Sequence, residues 1–244
     1  MIRRLALMVA LFGTGTAAAA AECRQALALG LDVSGSVDAR EYRLQLGGLA
    51  QALAMPSVRE KMLSDLQAPV MIMVYEWSGA ADQAIIVPWT AINDDPTIDA
   101  LVETLRQTTR RASTPGTALG SAMALGAGFL EQQSACWKHT LDISGDGTSN
   151  FGPRPRDVRQ TLSAKTLTIN GLVIGTQTAN IADVRQTEVA ALEAYFRAEV
   201  ILGPDAFVQT AAGFNDYARA MTEKLLREVD GMVLTKLQPP HRDD

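Results

Sequence analysis

Asp32, Ser34 and Ser36 place one carboxylate and two hydroxyls at alternate positions directly after the apolar run Leu27-Ala28-Leu29-Gly30-Leu31. No histidine stands beside them to take a proton, so neither serine has a local activator for nucleophilic work. Hard oxygens carrying little negative charge suit Mg²⁺, Mn²⁺ or Ca²⁺ instead, and Mg²⁺ commonly keeps waters and uses only one or two carboxylates. A cation held in this way has a position left for an oxygen from outside. The apolar run reads as a strand buried on both faces, the condition of a central strand in a parallel sheet. Asp38, with Glu41 three positions on, reads as a capping box that opens a helix. The three oxygens therefore sit on a strand-to-helix turn at the carboxyl end of a central strand, where open α/β sheets bind ligands.

Asp32-Val33-Ser34-Gly35-Ser36 resembles the Asp-x-Ser-x-Ser signature of von Willebrand factor type A (vWA) domains, with which their metal-ion-dependent adhesion site begins. That site has two further pieces, a Gly-Thr loop ahead of a helix and an Asp-Gly after a later apolar strand. Gly116-Thr117 and Asp146-Gly147 match them in order. The resemblance implies a divalent cation, Mg²⁺ ahead of Mn²⁺ or Ca²⁺. Its ligands would be the hydroxyls of Ser34, Ser36 and Thr117, with Asp32 and Asp146 binding directly or through water. It also implies a binding module that captures a carboxylate of a protein partner. Thr114 is the alternative to Thr117 if the loop aligns differently. Pro115 stands where a second Gly is common, and Ser144-Gly145 precede Asp146 where a Thr is frequent. Glu76-Trp77-Ser78-Gly79 and Val87-Pro88-Trp89-Thr90, with the Asp-Gly loop, resemble an exported bacterial vWA-like family whose function is not established.

The elements that must position these residues alternate along the chain. Helices are expected over 39–55, 57–66, 95–110, 118–133, 156–164, 184–198 and 215–228. Strands are expected over 70–77, 83–89, 137–144 and 166–174, the last with a kink or bulge at Asn170-Gly171, and in a sixth segment that starts at 199–202 and resumes at 206–208. The connection from Ser78 to Asp82 is too short for a parallel crossover, so strands two and three are expected as an antiparallel hairpin. Pro88 confines strand three to an edge. The pattern predicts a Rossmann-like, doubly wound, mostly parallel six-stranded α/β sheet with helices on both faces. In the order 3-2-1-4-5-6, which the vWA resemblance shares, strands one and four are neighbours at the reversal, and the residues at their ends converge. Trp77 and Trp89 are expected to pack across the hairpin. Glu76, a lone carboxylate in an apolar strand, is expected to lie at the strand's end or to pair with an Arg.

Arg3 and Arg4, the apolar Leu5 to Phe12 and the small residues Thr16 to Ala21 have the three-part form of a secretory signal peptide cut before Glu22. The apolar run is short of the roughly 20 residues that span a bilayer. The expected organisation is a leader at 1–21, one vWA-like domain at 22–236 and a disordered polar tail at 237–244, in the periplasm or secreted. Losing Arg3 and Arg4 would take the formal net charge from −5 to −7, which argues against nucleic acid and anionic membrane surfaces as partners. Cys23 lies nine residues before Asp32 and Cys136 ten before Asp146. If those aspartates end neighbouring strands, the cysteines fall side by side at the opposite ends, so a Cys23–Cys136 disulfide is expected. Two other functions compete with the binding module: a metal-dependent hydrolase or phosphoryl-transfer enzyme at the same crevice, and a structural domain with a vestigial site. The chain is not expected to be an enzyme. Its two histidines, His139 and His241, fall at the amino end of strand four and in the tail, and no phosphate-cradling Gly-rich loop with Lys follows strand one.

Overall fold

The computed structural model describes residues 23–175 and 182–229, with only the backbone for 182–185. The expected leader and polar tail lie outside these residues. Six strands, β1 (Cys23–Asp32), β2 (Val70–Trp77), β3 (Gln83–Ile92), β4 (Cys136–Gly145), β5 (Thr168–Ile174) and β6 (Val208–Ala211), form one sheet in the order 3-2-1-4-5-6. All neighbouring pairs are parallel except β2 with the edge strand β3. Helices α1 (Ala39–Ala54), α2 (Pro56–Met62), α3 (Asp95–Gln107) and α7 (Tyr217–Val229) cover one face. On the other lie α4 (Leu119–Glu131), α5 (Pro155–Leu162) and α6 (Ala182–Glu199).

The period of two along β1 divides the core. Leu27, Leu29 and Leu31 pack with Tyr42, Leu46 and Leu49 of α1, each leucine contributing about 1.5–3 kcal/mol by burial. Ala26 and Ala28 face α4, and Gly30 takes the same side because a Cβ there would lie 2.7 Å from the Tyr75 ring. Small residues on this face let α4 approach the sheet, where Tyr75 donates its hydroxyl proton to the Ala122 carbonyl at 2.9 Å. The Asp38–Glu41 capping box opens α1 as expected.

Several expectations change. Asn170-Gly171 makes no bulge, since β4 and β5 pair without a register break from Thr140↔Thr168 to Gly145↔Val173. Gly171 is there for space: a Cβ would lie 2.6 Å from Phe196. The sixth strand is Val208–Ala211, and the earlier segment contributes only an isolated bridge between Leu202 and Ile169. Gly203 (φ 96°) and Asp205 (φ 60°) turn the chain between them, which an apolar pattern does not announce. Trp77 pairs with Gln83, not Trp89, and is fully buried beneath the carboxyl end of β4, against Gly145.

Candidate metal centre

The sheet order makes β1 and β4 central neighbours, and their carboxyl ends bring Asp32 and Asp146 together. Asp32 is fully buried; Ser34 N donates to its Oδ1 at 2.8 Å. Its own carbonyl accepts from Gln45 Nε2 of α1 at 2.9 Å. The Ser34 and Ser36 hydroxyls lie 3.2 Å apart, and Ser36 Oγ donates to Asp146 Oδ1 at 2.7 Å. Four of the five sequence-identified residues thus form one connected set of oxygens.

The loop that carries Thr117 meets the Asp-x-Ser-x-Ser turn through Pro115, while the hydrogen bonds of Thr117 itself go to the 149–151 loop. Gly35 N donates to the Pro115 carbonyl at 3.1 Å. A Cβ on Gly35 would lie 2.9 Å from Pro115 Cβ, so that loop passes tightly over the Asp-x-Ser-x-Ser turn. Thr117 N donates to Asn150 Oδ1 at 2.9 Å, and the Thr117 carbonyl accepts from Asn150 N at 3.0 Å. Thr114 is committed elsewhere: its hydroxyl accepts from Gly79 N at 3.1 Å and its amide donates to Asp82 Oδ2 at 2.5 Å. Thr114, the alternative ligand, is thereby tied to the turn between β2 and β3.

The electrostatics are those of a site short of positive charge. Burial first, and the Asp146 charge second, push Asp32 up to about 7, against hydrogen bonds from Ser34 and the Asp146 amide. Burial, reinforced by Glu41, raises Asp146 as well, against the bond from Ser36. Asp32 Oδ2 is buried and accepts no well-aligned hydrogen bond from a described residue, a condition that normally costs ~1–3 kcal/mol. Gly145 leaves room beside it, its Cβ position being 3.4 Å from that oxygen. An unsatisfied buried carboxylate oxygen, a second carboxylate and neutral hydroxyls are a donor set that fits a small hard dication. Among the described residues no three His, Cys, Asp or Glu side chains cluster as a metal site, and the oxygens beside the two carboxylates are the serine hydroxyls.

Two arginines hold this arrangement; α3 stops at Gln107, so Arg110 lies beyond the helix expected over 95–110. Arg110 donates to three carbonyls of the turn, Val37, Val33 (3.2 Å) and Ser34 (3.4 Å), and Ser113 Oγ adds a bond to Val33 O at 2.8 Å. Arg111 Nε lies 3.3 Å from Glu76 Oε2, and its Nη1 donates to Asp82 Oδ1 at 2.5 Å. Glu76, 3 % exposed, also accepts from Tyr42 OH at 2.5 Å. The expectation of an arginine partner for Glu76 holds, and that pairing ties the Thr117 loop to the β2–β3 hairpin. The amide of Thr114, then Arg111 and Ser78, hold Asp82 down to about 2 against its burial.

At the opposite end of the same strands, Cys23 and Cys136 pair in register and form a disulfide with Cα atoms 4.4 Å apart. His139 is at that end too, its Nε2 2.9 Å from the Gln133 carbonyl.

The fold matches solved vWA structures at low identity. Proximal thread matrix protein 1 from the mussel byssus, in a structure described as having a zinc-occupied MIDAS motif, is 15 % identical with a TM-score of 0.55, over 86 % of this chain and 48 % of that one. A von Willebrand factor type A structure from Catenulispora acidiphila is 14 % identical with a TM-score of 0.55, over 85 % of this chain and 43 % of that one. An aerotolerance-related membrane protein from Bacteroides fragilis is 14 % identical with a TM-score of 0.51, over 83 % and 98 %. The chain thus spans about half the length of the mussel structure and less than half of the Catenulispora one. No curated protein matches it. A family profile described as "Protein of unknown function (DUF1194)" matches residues 22–233. The chain belongs to that family, and its fold is that of a von Willebrand factor type A domain.

Proposed function

We propose that this chain is a binding module that holds a divalent cation through Asp32, Ser34, Ser36, Thr117 and Asp146 and uses it to bind an acidic group on a protein partner. The observation that carries the reading is the buried Asp32 Oδ2 beside Asp146, which accepts no well-aligned hydrogen bond from a described residue; a dication turns the repulsion between the two carboxylates into attraction. The bound ion would supply an open coordination position to an incoming carboxylate; Mg²⁺ is the first choice, with Mn²⁺ and Ca²⁺ as alternatives. The chain's own part is to fix the oxygens. Gln45 and Arg110 hold the Asp-x-Ser-x-Ser turn, and Asn150 holds Thr117.

The buried disulfide supports an oxidising compartment, the periplasm or outside the cell, and a leader at 1–21 with the domain at 22–236 belongs to the same reading. Among the described residues no helix is long and apolar enough to cross a membrane. The acidic chain is a poor match for nucleic acid. A hydrolytic alternative is disfavoured by the position of His139, which is bonded to Gln133 at the far end of the sheet.

Titration calorimetry with Mn²⁺ and Mg²⁺ is the test. Wild type is expected to bind one ion, and Asp32→Ala and Asp146→Ala each to abolish the heat. A silent wild type would leave a vestigial site. Arg110→Ala is expected to weaken Mn²⁺ by about 10–100-fold, the usual cost of losing support behind a ligand. Its metal-free unfolding midpoint should fall by only about 2–4 °C, the shift per kcal/mol for a domain of this size. Unchanged affinity in Arg110→Ala would show that the turn holds its shape without that anchor.

A further inference from the structure

Beside Thr117 opens a groove of about 580 Å³ lined by Asn150, Phe151, Arg154, Arg156, Tyr195 and Glu199. None of the five candidate ligands lines it, but it adjoins the Thr117 loop, since the Asn150 and Phe151 amides both donate to the Thr117 carbonyl. The loop is held firmly. Ser149 Oγ also donates to the Thr117 carbonyl at 3.1 Å, and Ser149 N donates to Tyr195 OH at 3.2 Å. A Cβ on Gly120 would collide with the Pro153 carbonyl, so the loop lies directly on the first turn of α4. Gly152 takes a φ of 74°, which turns the chain between Phe151 and Arg154.

What this loop presents is chemically specific. Phe151 is 59 % exposed, the largest exposure among the big apolar side chains of the described residues. Arg156 is committed to Glu199 through two bonds of 2.8 and 2.9 Å. The Arg154 side chain is exposed and makes no hydrogen bond or ion pair with a described residue. With two guanidinium groups against one carboxylate, the groove is cationic on a chain whose net charge is −5. A ring and a free guanidinium lining one groove form a surface that attracts an apolar side chain flanked by a carboxylate.

We infer that this groove is a second subsite for the same partner. The segment recognised carries one carboxylate for the metal, then an apolar side chain that lies on Phe151 and a second carboxylate that pairs with Arg154. This rests on the metal-site reading and adds the partner's chemistry to it: a doubly acidic peptide with an apolar residue between the acids. It also accounts for an acidic protein taking an acidic ligand, since the metal and Arg154 each set a positive charge opposite a carboxylate.

The test is selection from a displayed random peptide library with a fixed central Asp, in excess Mn²⁺, on wild type, Arg154→Glu and Phe151→Ser, with Mn²⁺ calorimetry on each. All three should bind Mn²⁺ with the same affinity. Wild type should enrich a second Asp or Glu by about fivefold, the upper size of an exposed ion pair. Arg154→Glu should lose that preference or exchange it for Lys and Arg, and Phe151→Ser should lose the apolar preference. Identical preferences in wild type and Arg154→Glu would overturn the subsite while leaving the metal reading intact. Loss of Mn²⁺ binding in Arg154→Glu would also overturn it, by making Arg154 a support of the metal loop. A wild type that binds no Mn²⁺ removes the metal reading and the subsite together.

Discussion

Lys224→Met is expected to cost the fold about 3–5 kcal/mol at pH 8, the usual consequence of removing one partner from a buried ion pair. Lys224 is fully buried on α7, its Nζ 2.9 Å from Asp142 Oδ1 of β4 and 2.5 Å from Glu228 Oε1 one helical turn on. The nitrogen also lies 4.9 Å from the centre of the Phe207 ring. Asn170 Nδ2 donates to the same Glu228 oxygen at 2.7 Å, and Asn170 Oδ1 accepts from Phe207 N at 3.1 Å, so β4, β5 and α7 meet around one ammonium group. Methionine fills the volume and removes the charge. Two carboxylates, 1 % and 1 % exposed, are then left without their cation. Neither Asp142 oxygen accepts a well-aligned hydrogen bond from a described residue, so nothing else there takes over the role. Urea titration measures the loss, and the thermal midpoint should drop on the order of 10 °C.

The size of that loss depends on pH, with a sign fixed by Asp142. Burial pushes its carboxyl up to about 7, Glu228 adds to the rise and Lys224 opposes it. A carboxyl whose native value lies above its unfolded one binds its proton more tightly when folded. Its contribution therefore erodes stability as pH climbs from about 4 to about 7, and changes nothing further above that window. Without Lys224 the rise is steeper, and protonation relieves the buried charge in acid. The difference between wild type and Lys224→Met should accordingly be smaller at pH 5 than at pH 8. Asp142→Asn should flatten the pH dependence across the same window. A Lys224→Met loss below about 1 kcal/mol at pH 8, or one equal at both pH values, would mean that water reaches the cluster and screens it.

What the sequence discloses about this protein tracks how local the physics is. Val70–Trp77 is read to the residue because one apolar run and its flanking turns suffice. Asp38 and Glu41 declare the start of α1 because both capping bonds lie within one turn. Asp32, Ser34, Ser36 and Asp146 are legible because they stand at or just past the carboxyl ends of two apolar runs, in the pattern of the vWA resemblance, and sheet order brings those ends together. Nothing local gives Arg110 and Arg111 a role, since their partners are 29 to 77 residues away and reached through an irregular loop. Lys224 and Glu228 spell an ordinary i,i+4 pair of the sort that covers exposed helices; only the packing of α7 over Asp142 makes them buried. The bulge expected at Asn170-Gly171 rested on glycine as a breaker, whereas here the glycine makes room for Phe196.

Removing the Cys23–Cys136 bond is the other change of this size. The cysteines are 113 residues apart, which in the chain-entropy account is worth about 4–5 kcal/mol. Both are 5 % exposed and sit opposite each other on the two central strands, so the native sheet holds them together with or without the bond. The effect should therefore fall on the unfolded chain. In a Cys23→Ala, Cys136→Ala double variant the urea midpoint should drop, and the slope should rise because the released chain exposes more surface. Mn²⁺ affinity should not change, because the ten residues of β1 separate Cys23 from Asp32 by about 30 Å at 3.3 Å per residue. A loss below about 1 kcal/mol would show that the unfolded chain is already compact around this pair. Against a typical total of 5–15 kcal/mol, a bond of the expected size is a large share of what keeps the domain folded. The exported location proposed above then has a direct check: alkylation of the protein in its native cells should find both cysteines blocked, and free thiols there would exclude that location.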